Sequence, residues 1–271
     1  MRGIALLMSC IAALSSVLSY NDTDILAFAL NLECLEAEYY SFASSGTGLA
    51  SNQTGNGPQP IGGEMARLSG NIAEYASGLS TDENDHVAFL NLALGNMTVS
   101  CPLVDLNTSF SGLMDAAMNT TLDPPFSPYV DDASFLIGAF IFEDIGVTAY
   151  LGALGLLKTL GLMSAAASIA AVEAYHAATV RTLLNNKLDM NLQNYNFTIS
   201  DALGAISMLR AQLGGGKEDL YAPDNSLSIA PADDHSLAFS RNVTEILNIA
   251  TFGSANYTGG FYPAGLTGAI H

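Results

Sequence analysis

Residues 81–90 read TDENDHVAFL and residues 171–180 read AVEAYHAATV, two stretches that share the spacing Glu83-x-x-His86 and Glu173-x-x-His176. Each sits in a run without proline whose apolar residues recur at helical spacing, so both are read as helices. Residues three apart lie on one face of a helix. Each pair can therefore direct a carboxylate and an imidazole at one centre, with the carboxylate free to reach a second. A single such pair is common by chance. Two of them carry weight because each follows another helix with a glutamate in an apolar stripe, Glu33 before the first and Glu143 before the second.

The order Glu, Glu-x-x-His, Glu, Glu-x-x-His is the ligand plan of two-metal carboxylate bundles, in which four helices point these side chains into a common core. Glu33, Glu83, His86, Glu143, Glu173 and His176 are the candidate metal ligands. Tyr40 follows Glu33 by seven residues and Tyr150 follows Glu143 by seven, nearly two turns, which returns both to the ligand face. Helices joined by a turn run antiparallel, so facing residues lie equidistant from it. The midpoint of Glu33 and Glu83 is Pro58, and that of Glu143 and Glu173 is Lys158, each in an expected link. Four carboxylates in an apolar core cannot all remain ionised without compensation, and two divalent cations would supply it. On solvated faces the same glutamates would need no metal, but their apolar flanks argue against that placement. Glu36, one turn from Glu33, is an alternative ligand or a supporting group. Tyr40, Tyr150 and Asp144 are further supporting candidates. Asp144 and Asp85 could accept the outer imidazole proton of a ligating histidine, although Asp85 reads more simply as a solvated acid. His235 and His271 read as surface residues.

Around these stretches the chain reads as helices. Asn21-Asp-Thr-Asp starts the first, over Ile25–Ser44. Residues 51–63, SNQTGNGPQPIGG, form a loop. A second helix is expected from about Glu64 to Leu94, and a long connection with a short helix at Phe110–Met118 covers 101–131. A third long helix runs from after Asp132 to about Leu157 and a fourth from about Met163 to Asn185. Ser200–Leu213 and Val243–Ala250 are shorter. Period-two alternation is scarce, so little or no sheet is expected. The third and fourth long helices are very apolar, yet each apolar run is short for a membrane span and abuts acids, as in buried core helices. Short links within two hairpins and a long crossover between them describe an all-α four-helix bundle over residues 20–190, with 191–271 as a helical and irregular C-terminal extension packed on it.

The 271 residues are 49% hydrophobic, enough for a sizeable core, and carry 8 basic and 26 acidic residues for a net charge of −18. Such a surface repels phosphate backbones and anionic lipid, so nucleic acid is disfavoured as a partner. Residues 1–19 pair Arg2 with an apolar run from Ile4 to Leu14 and read as a secretory signal, leaving no membrane association after its removal. Behind it, Asn-x-Ser/Thr acceptors occur at Asn21, Asn52, Asn96, Asn107, Asn119, Asn196, Asn242 and Asn256, a density expected of a secreted glycoprotein of the extracellular space or cell wall. Cys10 leaves with the signal. Cys34 and Cys101 remain, and because bridge geometry is specific they are expected as two separate thiols.

Residues 24–40, DILAFALNLECLEAEYY, resemble the opening of the ferritin-like desiccation-related proteins of plants and the related stress and late-sexual-development proteins of fungi. PPFSPY at 124–129, EDIGVTAY at 143–150 and GGFYP at 259–263 are similar to that family too, so the resemblance spans nearly the whole mature chain. It implies a ferritin-like domain, export, and association with drying, starvation or development. It does not imply a settled activity. Comparison with bacterioferritin and rubrerythrin implies terminal or bridging roles for Glu33 and Glu143 beside the two Glu-x-x-His pairs. The chain departs from plant members at Cys34, where they tend to carry an aromatic.

The residues thus point to a dimetal site of two iron or manganese ions acting on oxygen or peroxide, with ferroxidase and catalase-like chemistry both compatible. A non-enzymatic acidic stress protein with a vestigial site, and iron storage in a cage, are the competing readings. Oligomeric state is not legible.

Overall fold

The computed structural model describes residues 20–222 and 224–271, so the expected signal at 1–19 lies outside the described residues. The fold is all-α: α1 (Asp22–Ser45), α2 (Gly70–Leu94), α3 (Thr108–Met118), α4 (Asp132–Leu154), α5 (Leu160–Asn185), α6 (Ile199–Leu213) and α7 (Val243–Ala250). Among the described residues only isolated bridges, and no strands, accompany them. Helices α1 and α2 form one antiparallel hairpin and α4 and α5 the other. The long crossover carrying α3 joins them.

The helix ends follow local chemistry. Asn21 and Asp24 form a reciprocal capping box at the start of α1, and Asp131 caps α4 through the Ser134 N–H at 2.8 Å. Asp22 accepts from the backbone N–H groups of Lys158 and Thr159 at 2.8 and 3.0 Å, fastening the start of α1 to the α4–α5 turn. Helix α2 starts at Gly70, later than expected. The backbone before it is used elsewhere: the Ala66 N–H donates to Ala43 O and the Arg67 N–H to Tyr129 O. Gly70 itself has φ +47°, which a right-handed helix cannot pass through. The α1–α2 link therefore runs over 46–69 and is not short.

Helices α1 and α4 are buried nearly all round. Helices α2 and α5 each bury one stripe and expose the other face. By length and composition α4 could cross a bilayer, but 83% of that stretch is buried within the fold. Its far side is covered by α6, α7 and the C-terminal segment. Phe261 packs edge-on against Phe110 and Phe142, and the Tyr262 hydroxyl donates to Asn31 O at 3.0 Å.

Two further expectations are corrected. Cys34 and Cys101 form a disulfide across 67 residues, because the crossover passes directly against α1. Asp144 does not serve a histidine. It points away from the centre on another face of α4, bound to Arg181 at 2.7 Å and Arg210 at 2.9 Å. Glu218 extends this buried network by pairing with Arg210 and Arg241. Burial opposes ionisation of Asp144, yet Arg181 and Arg210 hold its carboxyl below the usual range. The network ties the C-terminal segment to the core through charge pairs that cannot be opened cheaply.

Candidate metal centre

The six residues expected to converge do so. One group comprises Glu33, Glu83, His86 and Glu173, the other Glu83, Glu143, Glu173 and His176; within each, one donor atom per residue lies within 4.8 Å of the rest. Glu83 and Glu173 belong to both groups, and these are the glutamates of the two Glu-x-x-His pairs. Glu33 and Glu143 each belong to one. The two groups therefore share Glu83 and Glu173, with Glu33 and His86 completing one and Glu143 and His176 the other.

Each group is aimed. His86 Nδ1 lies 3.0 Å from Glu83, 3.2 Å from Glu33 and 3.4 Å from Glu173. His176 Nδ1 lies 3.0 Å from Glu83 and 3.4 Å from Glu143, without the alignment of a hydrogen bond. Its outer nitrogen, Nε2, contacts Asp82 at 3.0 Å, which turns Nδ1 inward. The tyrosines return to the ligand face but cross between hairpins: the Tyr40 hydroxyl donates to Glu143 Oε1, and the Tyr150 hydroxyl to Glu33 Oε1. One oxygen of each terminal glutamate is thereby held, and the other faces the centre. Glu83 Oε1, Glu143 Oε2, both oxygens of Glu173 and His176 Nδ1 are buried with no hydrogen-bond partner. Buried polar atoms are rarely left so. Orphaned carboxylate and imidazole donors pointing at one space are the donor set of a divalent cation.

The electrostatics agree. Burial, followed by the charges of neighbouring carboxylates, pushes Glu173 well above its usual range. Burial and Glu33 raise Glu83 to about 7 against the pull of both histidines. Burial alone would depress both histidines, but their carboxylate neighbours raise them far above the ordinary imidazole value. Burial also acts on Glu33, yet contact with His86 brings its net value down. Without cations, protons shared among these groups offset the charge.

Glu36 belongs to neither group. It is buried on the α7 side, lining a small apolar cavity with Leu35, Phe142 and Ile145. Burial and the charges of Glu173, Glu83, Glu143 and Glu33 favour its neutral form strongly. Asp85 is exposed, as are His235 and His271. Sequence reasoning missed Asp82: it precedes Glu83 directly and acts across the bundle on the other hairpin's histidine, a relation that helical spacing cannot express. It also missed the buried arginines, for which the signal was Arg181 within the apolar pattern of α5.

A helical bundle with two Glu-x-x-His pairs and crossed glutamates defines a ferritin-like protein. The chain belongs to that family: residues 21–186 match the family model described as a ferritin-like domain. It is 33% identical over 245 residues to the desiccation-related protein PCC13-62 of Craterostigma plantagineum, covering 85% of this chain and 78% of that one. It is 30% identical over 264 residues to the ferritin-like catalase Nec2 of Nesocodon mauritianus, covering 92% of this chain and 84% of the relative.

Proposed function

We propose that this chain is a secreted ferritin-like glycoprotein that holds two iron or manganese ions and performs redox chemistry on oxygen or peroxide. One observation carries the reading: buried, unpartnered donors converge on two positions that share Glu83 and Glu173. When bound, the metals would supply the redox equivalents and polarise a small oxidant. The protein's own groups do the rest. Glu83 and Glu173 would span both positions, while His86 with Glu33 and His176 with Glu143 would close the ends. Tyr40 and Tyr150 fix the terminal carboxylates, and Asp82 fixes the His176 ring. The apolar shell excludes bulk water. The name of the Nesocodon relative favours the catalase-like form of this chemistry, and that of the Craterostigma relative favours a setting in drying or stress.

Export is supported by the Cys34–Cys101 bridge, which persists in oxidising compartments. All eight acceptor asparagines are exposed, as glycosylation requires. The same sequons, with the net charge of −18, favour a second reading: a non-enzymatic acidic wall or extracellular protein whose metal site is vestigial.

Elemental analysis of protein purified without chelators, followed by titration with Mn(II) and Fe(II), separates the two. The first reading expects about two metals per chain, and oxygen evolution from hydrogen peroxide or Fe(II) oxidation that a Glu83→Ala/Glu173→Ala variant loses. A chain that binds neither ion refutes it. Full binding without turnover, with the double variant rescuing a deletion phenotype, supports the second.

A further inference from the structure

We propose that metal ions reach the centre by one route, a groove bounded by α2, α4 and α5 that carries Glu74 and ends at Asp82 and His176; this rests on the metal-site reading above. The four carboxylate ligands are sealed, with Glu33 1% and Glu83, Glu143 and Glu173 0% exposed, whereas His86 and His176 each keep 8%. An ion must therefore pass a histidine, and the two histidines define two mouths on the α2–α5 face.

The mouths differ. Matching residues 81–90 with 171–180 sets Asp82 against Val172, so the two hairpins are alike at glutamate and histidine and unlike immediately before them. Beside His176, Asp82 has a half-exposed side chain, in contact with water on one side and with the imidazole on the other. A cavity of about 150 Å³ opens there; its walls are largely apolar, Leu79, Phe135, Leu136 and Val180 among them, and Glu74, Asp82 and His176 are the groups in it that can meet a cation. A cavity needs only about 10–15 Å³ of this volume to hold one water, so a cation that keeps part of its hydration shell fits. Glu74, Gly78 and Asp82 follow one another at four-residue steps, placing them on one exposed face of α2, from which Asp82 reaches across to His176. A Cβ at Gly78 would meet nothing within 4 Å, so the groove is open at its middle.

This gradient suits a divalent cation. Water ligands are costly to remove, and Glu74 at the rim and Asp82 beside His176 can each replace some of them before the ion reaches the buried donors. The position on α5 equivalent in sequence to Asp82 is the apolar, partly buried Val172. The cavity on the α7 side, around Glu36, holds only about 30 Å³, too small for a hydrated ion.

The test measures uptake, not turnover. The full chain is stripped with chelator and mixed with Co(II), and loading is followed in time by visible absorption. Gly78→Leu fills the groove without a β-branched residue in the helix, and Glu74→Gln removes charge from the outer rim. Both are expected to reach the wild-type end point, with loading slowed on the order of tenfold in Gly78→Leu and severalfold in Glu74→Gln, whose rate also loses salt dependence. Val172→Leu, at the equivalent position on α5, is expected to load at the wild-type rate. Wild-type rates in Gly78→Leu, or slowing confined to Val172→Leu, would overturn the route while leaving the metal site standing. A wild-type chain that takes up no Co(II) would overturn both.

Discussion

Gly146→Ala adds one methyl group to α4 and changes no ligand. A Cβ at this position would stand 2.5 Å from Glu173 Oε2 and 3.1 Å from its Cδ, where ordinary contact begins at 3.4 Å. The carboxylate must therefore retreat by about 0.9 Å, several times the tolerance of about 0.2 Å for a metal–ligand distance. The fold has an easy escape, because the crowded atoms are the end of a flexible side chain. Alanine is also favoured over glycine within a helix by about 1 kcal/mol. The proposed metal centre has no such escape, since Glu173 is one of the two glutamates common to both donor groups. The expected variant unfolds at or above the wild-type temperature in the metal-free form, but binds Mn(II) or Fe(II) at least about tenfold more weakly, equivalent to about 1.4 kcal/mol. Thermal unfolding and competitive titration read the two effects separately. Wild-type affinity in a folded Gly146→Ala protein would refute the assignment of Glu173 to the centre.

Burial raises Glu38 to about 7 from an ordinary 4.5, against the opposing hydrogen bond from Leu49 N–H. A raised carboxyl stabilises the fold fully below its unfolded value and loses that contribution as pH rises to its folded value, here from 4.5 to about 7. The interval corresponds to about 3 kcal/mol, and Glu38→Gln, which can still accept from Leu49, should flatten urea-unfolding stability across it. Replacing both Cys34 and Cys101 with serine opens a crosslink spanning 67 residues. A loss of about 4 kcal/mol in unfolding free energy is expected, and a loss below about 1 kcal/mol would deny the bridge its role. Asp144→Asn leaves Arg181 and Arg210 buried beside a neutral group. It should cost about 3–5 kcal/mol, measured by the same unfolding assay, whereas a neutral result would place the arginines' compensation elsewhere.

The bundle and its six converging residues were legible because both are periodic. A glutamate and a histidine three apart on an apolar stripe have nowhere to point but inward, and the midpoints at Pro58 and Lys158 fix which residues meet across each hairpin. The tyrosines were legible by the same spacing, though not their partners: Tyr40 serves Glu143 and Tyr150 serves Glu33 because the hairpins pack face to face.

What depends on the approach of distant segments was not legible. The start of α2 moved to Gly70 because Ala66 and Arg67 spend their N–H groups on Ala43 and Tyr129. Cys34 and Cys101 met because the crossover lies on α1. Asp144 was a candidate for the centre by its place beside Glu143, but neighbours in a helix point about 100° apart, and this turned it towards Arg181 and Arg210. Asp82 entered the site for the converse reason, reaching a histidine on the other hairpin. The sequence by itself determined the helices and the inward faces, since 3.6-residue periodicity is a local property. Only the tertiary structure decided which carboxylates are shared and which are sealed, because contact and exposure depend on neighbours brought together by folding.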